Sequence, residues 1–143
     1  MGVIKDYVPR VIPGIAQRLR VTLTSAQILA LNSTPVSLIP APGAGKYISV
    51  DEILAKVSST GFVAYTGANA VEIRYTDGSG QKVTGDLASA WLNNATDRTD
   101  KAIASAVTTA VANAAVVAAV PTANPGAGTG TVTLDILYRV VTL

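Results

Sequence analysis

The chain has 143 residues, of which 49% are apolar and only 14% are charged, and its net charge is +2. Because it contains no Cys and no His, a disulfide scaffold, a thiolate or imidazole metal site, and enzymes of the Ser-His-Asp and Cys-His classes are excluded. Ordinary globular domains have about 25% charged residues, so we expect part of this surface to be covered by other subunits.

Residues 1–20 predict an extended N-terminal arm. Pro9 and Pro13 interrupt any helix or central strand there, and the apolar side chains of so short a segment cannot form a core of their own. Such an arm lies on its own domain or on a partner, which removes its apolar surface from water. The expected interface residues are Val3, Ile4, Tyr7, Val8, Arg10, Val11 and Ile12.

Residues 21–143 predict a single β domain in which short strands alternate with turns. Alternating or β-branched runs indicate strands at 21–24, 36–39, 47–57, 62–65, 70–75, 81–84 and 131–141. A short helix is expected at 25–31 with Thr24 or Ser25 as its N-cap, and another at 86–92 with Asp86 as its cap. Segment 51–56 also suits a helix, but the turn residues around 47–57 favour a strand.

The clearest strand pattern is at 70–75. Val71, Ile73 and Tyr75 form one face there, and Glu72 and Arg74 form the other. The Asp-Gly pair at 77–78 is a strong hairpin signal. We therefore expect 81–84 to return beside this strand.

The stretch from 97 to 120 allows more than one interpretation. Segment 97–101 alternates in charge sign and predicts a solvated loop. In 102–120, the Ala content favours a helix, whereas the period of two in side-chain size favours two strands with a break near Asn113; the β context supports the strands. A membrane span is not expected, because Ala adds little transfer energy and Ser, Thr and Asn interrupt the segment. The resulting fold is all-β, a sandwich or barrel of about eight short strands.

No motif predicts catalysis, a cofactor or a metal, so we expect a protein that is not an enzyme. Gly45 and Lys46 are followed by Tyr47, where a phosphate-binding loop needs Ser or Thr. The glycines at 126–130 have the wrong spacing for a dinucleotide loop, and the nine carboxylates show no spacing that singles out a catalytic pair. Trp91, the only Trp, is expected to anchor a core or an interface; a platform for stacking sugars is the alternative.

Four stretches together resemble a known group of proteins. They are LTSAQILAL at 23–31, TPVSLIPAPGAGK at 34–46, VEIRYTDGSG at 71–80 and LDILYRVV at 134–141. The chain resembles the capsid decoration (cement) proteins of tailed bacteriophages. The resemblance implies a β-rich fold of the jelly-roll or β-tulip type, so we expect a jelly-roll-like sandwich or barrel. It also implies an often trimeric protein on the outside of the capsid, which clamps neighbouring major capsid subunits, frequently through an N-terminal arm.

The sequence therefore predicts a structural virion protein that is made in the bacterial cytoplasm and binds the outer capsid surface. Its expected partners are the major capsid protein and further copies of itself, as a homotrimer. Neither nucleic acid nor a membrane is expected as a partner, because the basic residues are scattered and are not interleaved with aromatic residues. The alternative is a carbohydrate-binding β-sandwich module of a phage head fibre or tail, with Trp91 and Tyr side chains as stacking surfaces.

Overall fold

The computed structural model describes residues 14–67, 69–105 and 109–143, and these residues form two antiparallel sheets. The strands are β1 (Gln17–Leu23), β2 (Val36–Ile39), β3 (Lys46–Val57), β4 (Glu72–Tyr75), β5 (Arg98–Ile103), β6 (Val116–Ala119) and β7 (Val132–Thr142). The four-stranded sheet has the order β1-β7-β3-β5, and the three-stranded sheet has the order β2-β6-β4. The prediction of an all-β sandwich is confirmed.

The long closing strand β7 organises the four-stranded sheet. It lies between β1 and β3 and pairs with both along almost its whole length. Its residues alternate as the sequence predicts: Val132, Leu134, Ile136 and Val140 are buried in the core and Tyr138 packs against it, whereas the residues of the other parity lie on the outward face. A bulge between Val50 and Glu52 shifts this alternation by one residue in β3.

The three-stranded sheet is extended by the segment at 81–84. The N–H of Tyr75 donates to the carbonyl of Gln81 (2.9 Å), and the N–H of Val83 donates to the carbonyl of Ile73 (2.8 Å). The predicted hairpin is therefore confirmed. With this segment, each layer contains four extended segments, as a jelly roll does; the jelly-roll assignment itself stays a prediction.

The helix α1 (Ser25–Leu29) follows β1 directly, and its start is fixed by a capping box. The hydroxyl of Thr24 accepts the N–H of Gln27 (3.2 Å), and the amide oxygen of Gln27 accepts the N–H of Thr24 (2.9 Å). Ile28 and Leu31 reach the core and are fully buried. The predicted helix with a Thr24 cap is confirmed, although the helix ends two residues earlier than expected.

The boundary of the predicted arm is wrong at its C-terminal end. Residues 17–20 belong to β1 and pair with β7, whereas the sequence places them in the arm. The physical reason is that Arg18 and Arg20 occupy the outward positions of a strand whose inward residue Leu19 packs against the core. Two charges in four residues give the appearance of a solvated arm.

The solvated loop predicted at 97–101 is also wrong. Residues Arg98–Ile103 form β5, the edge strand beside β3. Its alternating charges are satisfied along the sheet: Lys101 pairs with Glu52 of β3 (2.9 Å), and Arg98 pairs with Asp100 (2.7 Å). Lys101 lies on the outer face of the sheet, whereas Arg98 and Asp100 lie on the side of Val57 and Ala55 and neutralise each other there, and an edge strand tolerates such inward charges.

Two other predicted elements are shorter than expected. At 62–65 the structure has only an isolated bridge between Val63 and Thr129. In place of the helix at 86–92 there is a 3₁₀ turn at Ser89–Trp91 that starts from Ala88 without a side-chain cap. Asp86 does not cap it, because its carboxylate is paired with Lys82 (2.8 Å).

The Ala-rich stretch contains no helix where the structure describes it, so the helical alternative is wrong there. Of the two predicted strands, β6 (Val116–Ala119) is present. The first is not, because only the last two residues of β5 fall in the stretch and the described residues between Ile103 and Asn113 form only an isolated bridge from Ala104 to Thr84. The expected break near Asn113 is confirmed, because Asn113 has a φ of 50° in a turn. Residues 106–108 lie outside the described residues. Within the described ranges, no helix is long and apolar enough to cross a membrane.

Candidate functional site

The predicted interface residues of the arm, from Val3 to Ile12, lie outside the described residues. The structure does place the first residue it describes, Gly14. The N–H of Gly14 donates to the carbonyl of Val140 near the end of β7 (2.7 Å). The described part of the chain therefore begins at the end of the sandwich where β3 begins and β7 ends.

Both ends of the described chain meet at this place, which we call the terminal pole (Gly14, Ile15, Gly45 and Leu143). The N–H of Leu143 donates to the carbonyl of Gly45 (2.9 Å), and the side chains of Ile15 and Leu143 are 53% and 66% exposed. A mostly apolar cavity of about 230 Å³ opens nearby. It is lined by Ile39, Pro40, Ala41, Pro42, Lys46, Tyr138 and Val140.

A second surface is the outward side of the four-stranded sheet, which we call the cationic face. Strand alternation and the register of β1, β7, β3 and β5 bring its residues into adjacent rows. Among the described residues, the cations on this face are Arg18, Arg20, Lys56, Lys101 and Arg139. None of the predicted site residues lies here.

Asp135 of β7 is the carboxylate that two cations of the cationic face share. It lies opposite Arg20 in the β1–β7 register. Arg20 binds its two carboxylate oxygens at 2.7 and 3.1 Å, and the Nζ atom of Lys56 donates to Oδ2 at 2.8 Å. These hydrogen bonds, first from Arg20 and then from Lys56, hold the pKa of Asp135 well below its usual value. The carboxylate is therefore charged throughout the physiological pH range.

Two more ion pairs lie on the same face. Lys101 pairs with Glu52 (2.9 Å), and Arg139 pairs with Asp51 at the bulge of β3 (3.0 Å). In each pair on this face the cation is more exposed than the anion that it contacts. The solvent-facing layer is therefore mainly cationic.

Aliphatic side chains lie between these charges. Leu54 and Leu137 are partly exposed and occupy outward positions on β3 and β7, and Ile103 on β5 is 60% exposed. In the register, Leu54 is opposite Asp135, and Leu137 is opposite Glu52. An apolar middle with charges around it is the composition of many protein–protein interfaces.

The face ends in an open depression of about 660 Å³ beside Asp135. Arg20, Lys56 and Arg98 are among its lining residues. The others are Val57, Ser58, Asp97, Thr99, Thr131 and Thr133. The carboxylate of Asp97 accepts the N–H of Ser59, a bond that lowers its pKa, so Asp97 stays charged and offsets part of the positive charge of the three cations. The depression can hold an acidic group that is also hydrogen-bonded by hydroxyls.

The other charged cluster has the features of a structural network. Glu72 in β4 is 5% exposed, and its carboxylate pairs with Arg74 (2.5 Å) and Lys82 (2.8 Å). Burial raises the pKa of Glu72, but the hydrogen bonds from Lys82 and Arg74 outweigh burial and place it below the usual value. In the part of the chain that the structure describes, no group of acidic residues is arranged to hold a metal ion.

Trp91 is fully buried in the core. The alternative in which its ring stacks on a sugar is therefore wrong, and the expected role as a core anchor is confirmed. Tyr65 and Tyr75 are buried as well, and burial raises the pKa of Tyr75. These rings fill the sandwich and are not available to a ligand.

Comparison with known proteins identifies no relative: no family model matches the chain, and no curated protein matches it.

Sequence reasoning missed the cationic face. The signal was the spacing of two residues between Arg18 and Arg20, which is the period of one strand face. Because the sequence predicts that both residues belong to the arm, this spacing does not lead to a prediction of the cationic face.

Proposed function

We propose that this protein is a capsid decoration (cement) protein, a structural virion protein that binds the outside of a phage head and bridges major capsid subunits. The resemblance of the four sequence stretches suggests this class. The observation that carries the proposal is the terminal pole, where the described chain begins at Gly14 and the apolar side chains of Ile15 and Leu143 are exposed. A rigid sandwich with one apolar attachment point is suited to binding and clamping a lattice.

The proposed mechanism is multivalent burial of apolar surface. Each arm covers a neighbouring subunit of the capsid or another copy of this chain, and Ile15 and Leu143 at the pole extend the contact. Burying one Val or Ile side chain contributes about 1.5–3 kcal/mol. A homotrimer joins three such contacts, so that each binding event raises the effective concentration of the next.

The arm is tested with empty phage heads that were assembled without this protein. A chain lacking residues 1–13 is expected to fold with an unchanged melting temperature but to lose co-sedimentation with the heads. Residue 14 stays in place, because its N–H is hydrogen-bonded to β7. Binding of the truncated chain at the level of the full chain would refute the role of the arm.

Substitutions within the arm separate apolar contact from mere length. We expect Val3→Ser combined with Ile4→Ser to weaken head binding roughly 100-fold, since about 1.4 kcal/mol corresponds to a factor of ten. The matched control is Lys5→Ser combined with Asp6→Ser, which changes adjacent residues and keeps the net charge.

Native mass spectrometry is expected to give a trimer, and a monomer at micromolar concentration would contradict the proposed assembly.

A further inference from the structure

We infer that the cationic face is a second docking surface, and that its occupant is an acidic patch on a partner protein. The identification of that partner with the capsid rests on the proposed function. The chemistry of the contact rests on the described residues of the four-stranded sheet alone. The arm and this face would then hold the protein through different forces.

The first argument is that the cations of this face are more exposed than the carboxylates that they contact. Arg20 is 67% exposed above Asp135, which is 5% exposed, and Lys101 is 57% exposed above Glu52, which is 30% exposed. A partner approaching the sheet therefore meets guanidinium and ammonium groups before it meets any carboxylate. Electrostatic complementarity then favours an acidic surface.

The second argument is the surplus of positive charge. The carboxylate of Asp135 is shared by two cations, and Arg18 forms no ion pair within the described residues. The five cations of the face are opposed by three anions on the sheet, Asp51, Glu52 and Asp135. Since the whole chain has a net charge of +2, this face holds a surplus as large as that of the entire molecule.

The depression gives the partner a specific place to insert an acidic side chain. Arg20 and Lys56, which line it, already bind the carboxylate of Asp135, and Arg98 is a third cation in the lining. The carboxylate of a partner Asp or Glu would add charge-assisted hydrogen bonds to these donors. The hydroxyls of Thr99 and Thr133 in the lining supply further donors.

The apolar middle favours a protein over a nucleic acid. Leu54, Leu137 and Ile103 lie between the cations, and aliphatic side chains do not provide the aromatic platforms on which bases stack. A second copy of this face is disfavoured too, because it would oppose cations with cations. An acidic protein surface with apolar residues at its centre satisfies both features.

The test compares two variants with the same change in net charge. Arg18→Gln combined with Lys101→Gln removes two cations from the face, and neither residue is buried. Gln81→Glu combined with Asn94→Asp adds two carboxylates at exposed positions outside the four-stranded sheet. Affinity for empty heads is measured at low and at high salt, and thermal unfolding confirms that both variants fold.

We expect the face variant to bind heads at least about tenfold more weakly than the control variant, with a smaller dependence on salt. Equal binding by the two variants, while the chain without its arm fails to bind, would overturn this inference and leave the proposed function intact. Failure of the full chain to bind heads at all would refute the proposed function.

In that case the face is tested separately with immobilised poly-L-glutamate and with duplex DNA. Retention on poly-L-glutamate that is lost in the face variant and kept in the control supports the inferred chemistry. Retention on duplex DNA alone, or retention that is equal for the two variants, overturns it.

Discussion

Ile136→Ala and Leu137→Ala, made separately, measure what the inward and the outward side of β7 contribute to stability and to binding. The residues are adjacent in the same central strand, so changes in strand propensity are similar. Ile136 is fully buried and lies opposite Ile53 in β3 and Leu19 in β1. Leu137 faces outward on the cationic face and is partly exposed.

The expected costs differ because only one change creates a cavity. Ile136 is enclosed by paired strands on both sides, so the core cannot collapse easily around the lost atoms, and we expect a loss of about 3–4 kcal/mol in the free energy of unfolding. For a domain of this size that lowers the melting temperature by roughly 10 °C. Leu137→Ala removes a partly exposed side chain and is expected to cost less than about 1.5 kcal/mol.

Unfolding in urea, followed by the fluorescence of Trp91, gives both values. Trp91 is the only Trp in the chain and is fully buried, so its emission reports the opening of the core. Binding to phage heads completes the comparison. Leu137→Ala should weaken head binding although it lowers stability less, whereas Ile136→Ala should not affect binding by the folded fraction. Stability losses within about 0.5 kcal/mol of each other, or in the reverse order, would refute the assignment of the two faces.

Three further predictions concern the fold. Thr24→Ala removes the cap of α1 and should lower the free energy of unfolding by about 1 kcal/mol in urea titrations. Asp135→Asn should make the stability of the fold depend less on pH under acidic conditions. Because the pKa of Asp135 is lowered in the folded state, its carboxylate stabilises the fold fully above about pH 4 and loses this effect as the pH falls below it. The wild-type melting temperature should therefore fall more steeply below about pH 4 than that of the variant, and parallel curves would contradict the role of the ion pairs. Gly128→Ala would place a Cβ atom 2.7 Å from the Cα atom of Tyr65 and should cost about 1–3 kcal/mol, whereas Gly85→Ala meets nothing within 4 Å and should melt within a few degrees of the wild type.

Much of the fold could be predicted because its signals are local. Alternation over 131–141 indicates which side of β7 is buried, and the structure confirms it for Leu134 and Ile136. The Thr24 cap and the Asp-Gly hairpin turn depend on residues within a few positions of one another. These patterns are sufficient for an all-β domain with its inner and outer faces assigned.

The errors arise where a charged segment lies in a sheet. Local charge suggested an arm at 17–20 and a loop at 97–101, but both are strands. Each strand pairs with a central strand of the sheet, β1 with β7 and β5 with β3, and Arg20 and Lys101 form ion pairs with carboxylates on those neighbouring strands. No local pattern carries that information, because the partners are far away in the chain.

By itself, the sequence determined the class of fold and the absence of Cys and His chemistry. Only the tertiary structure decided that a cationic face exists, because it depends on strand register: Arg20 and Asp135 are 115 positions apart and meet across the β1–β7 ladder. The same register places Lys56 beside them and leaves more cations than carboxylates on one side of the sheet. Side-chain alternation is a property of each strand, whereas the choice of neighbouring strand is made by the packing of the whole domain.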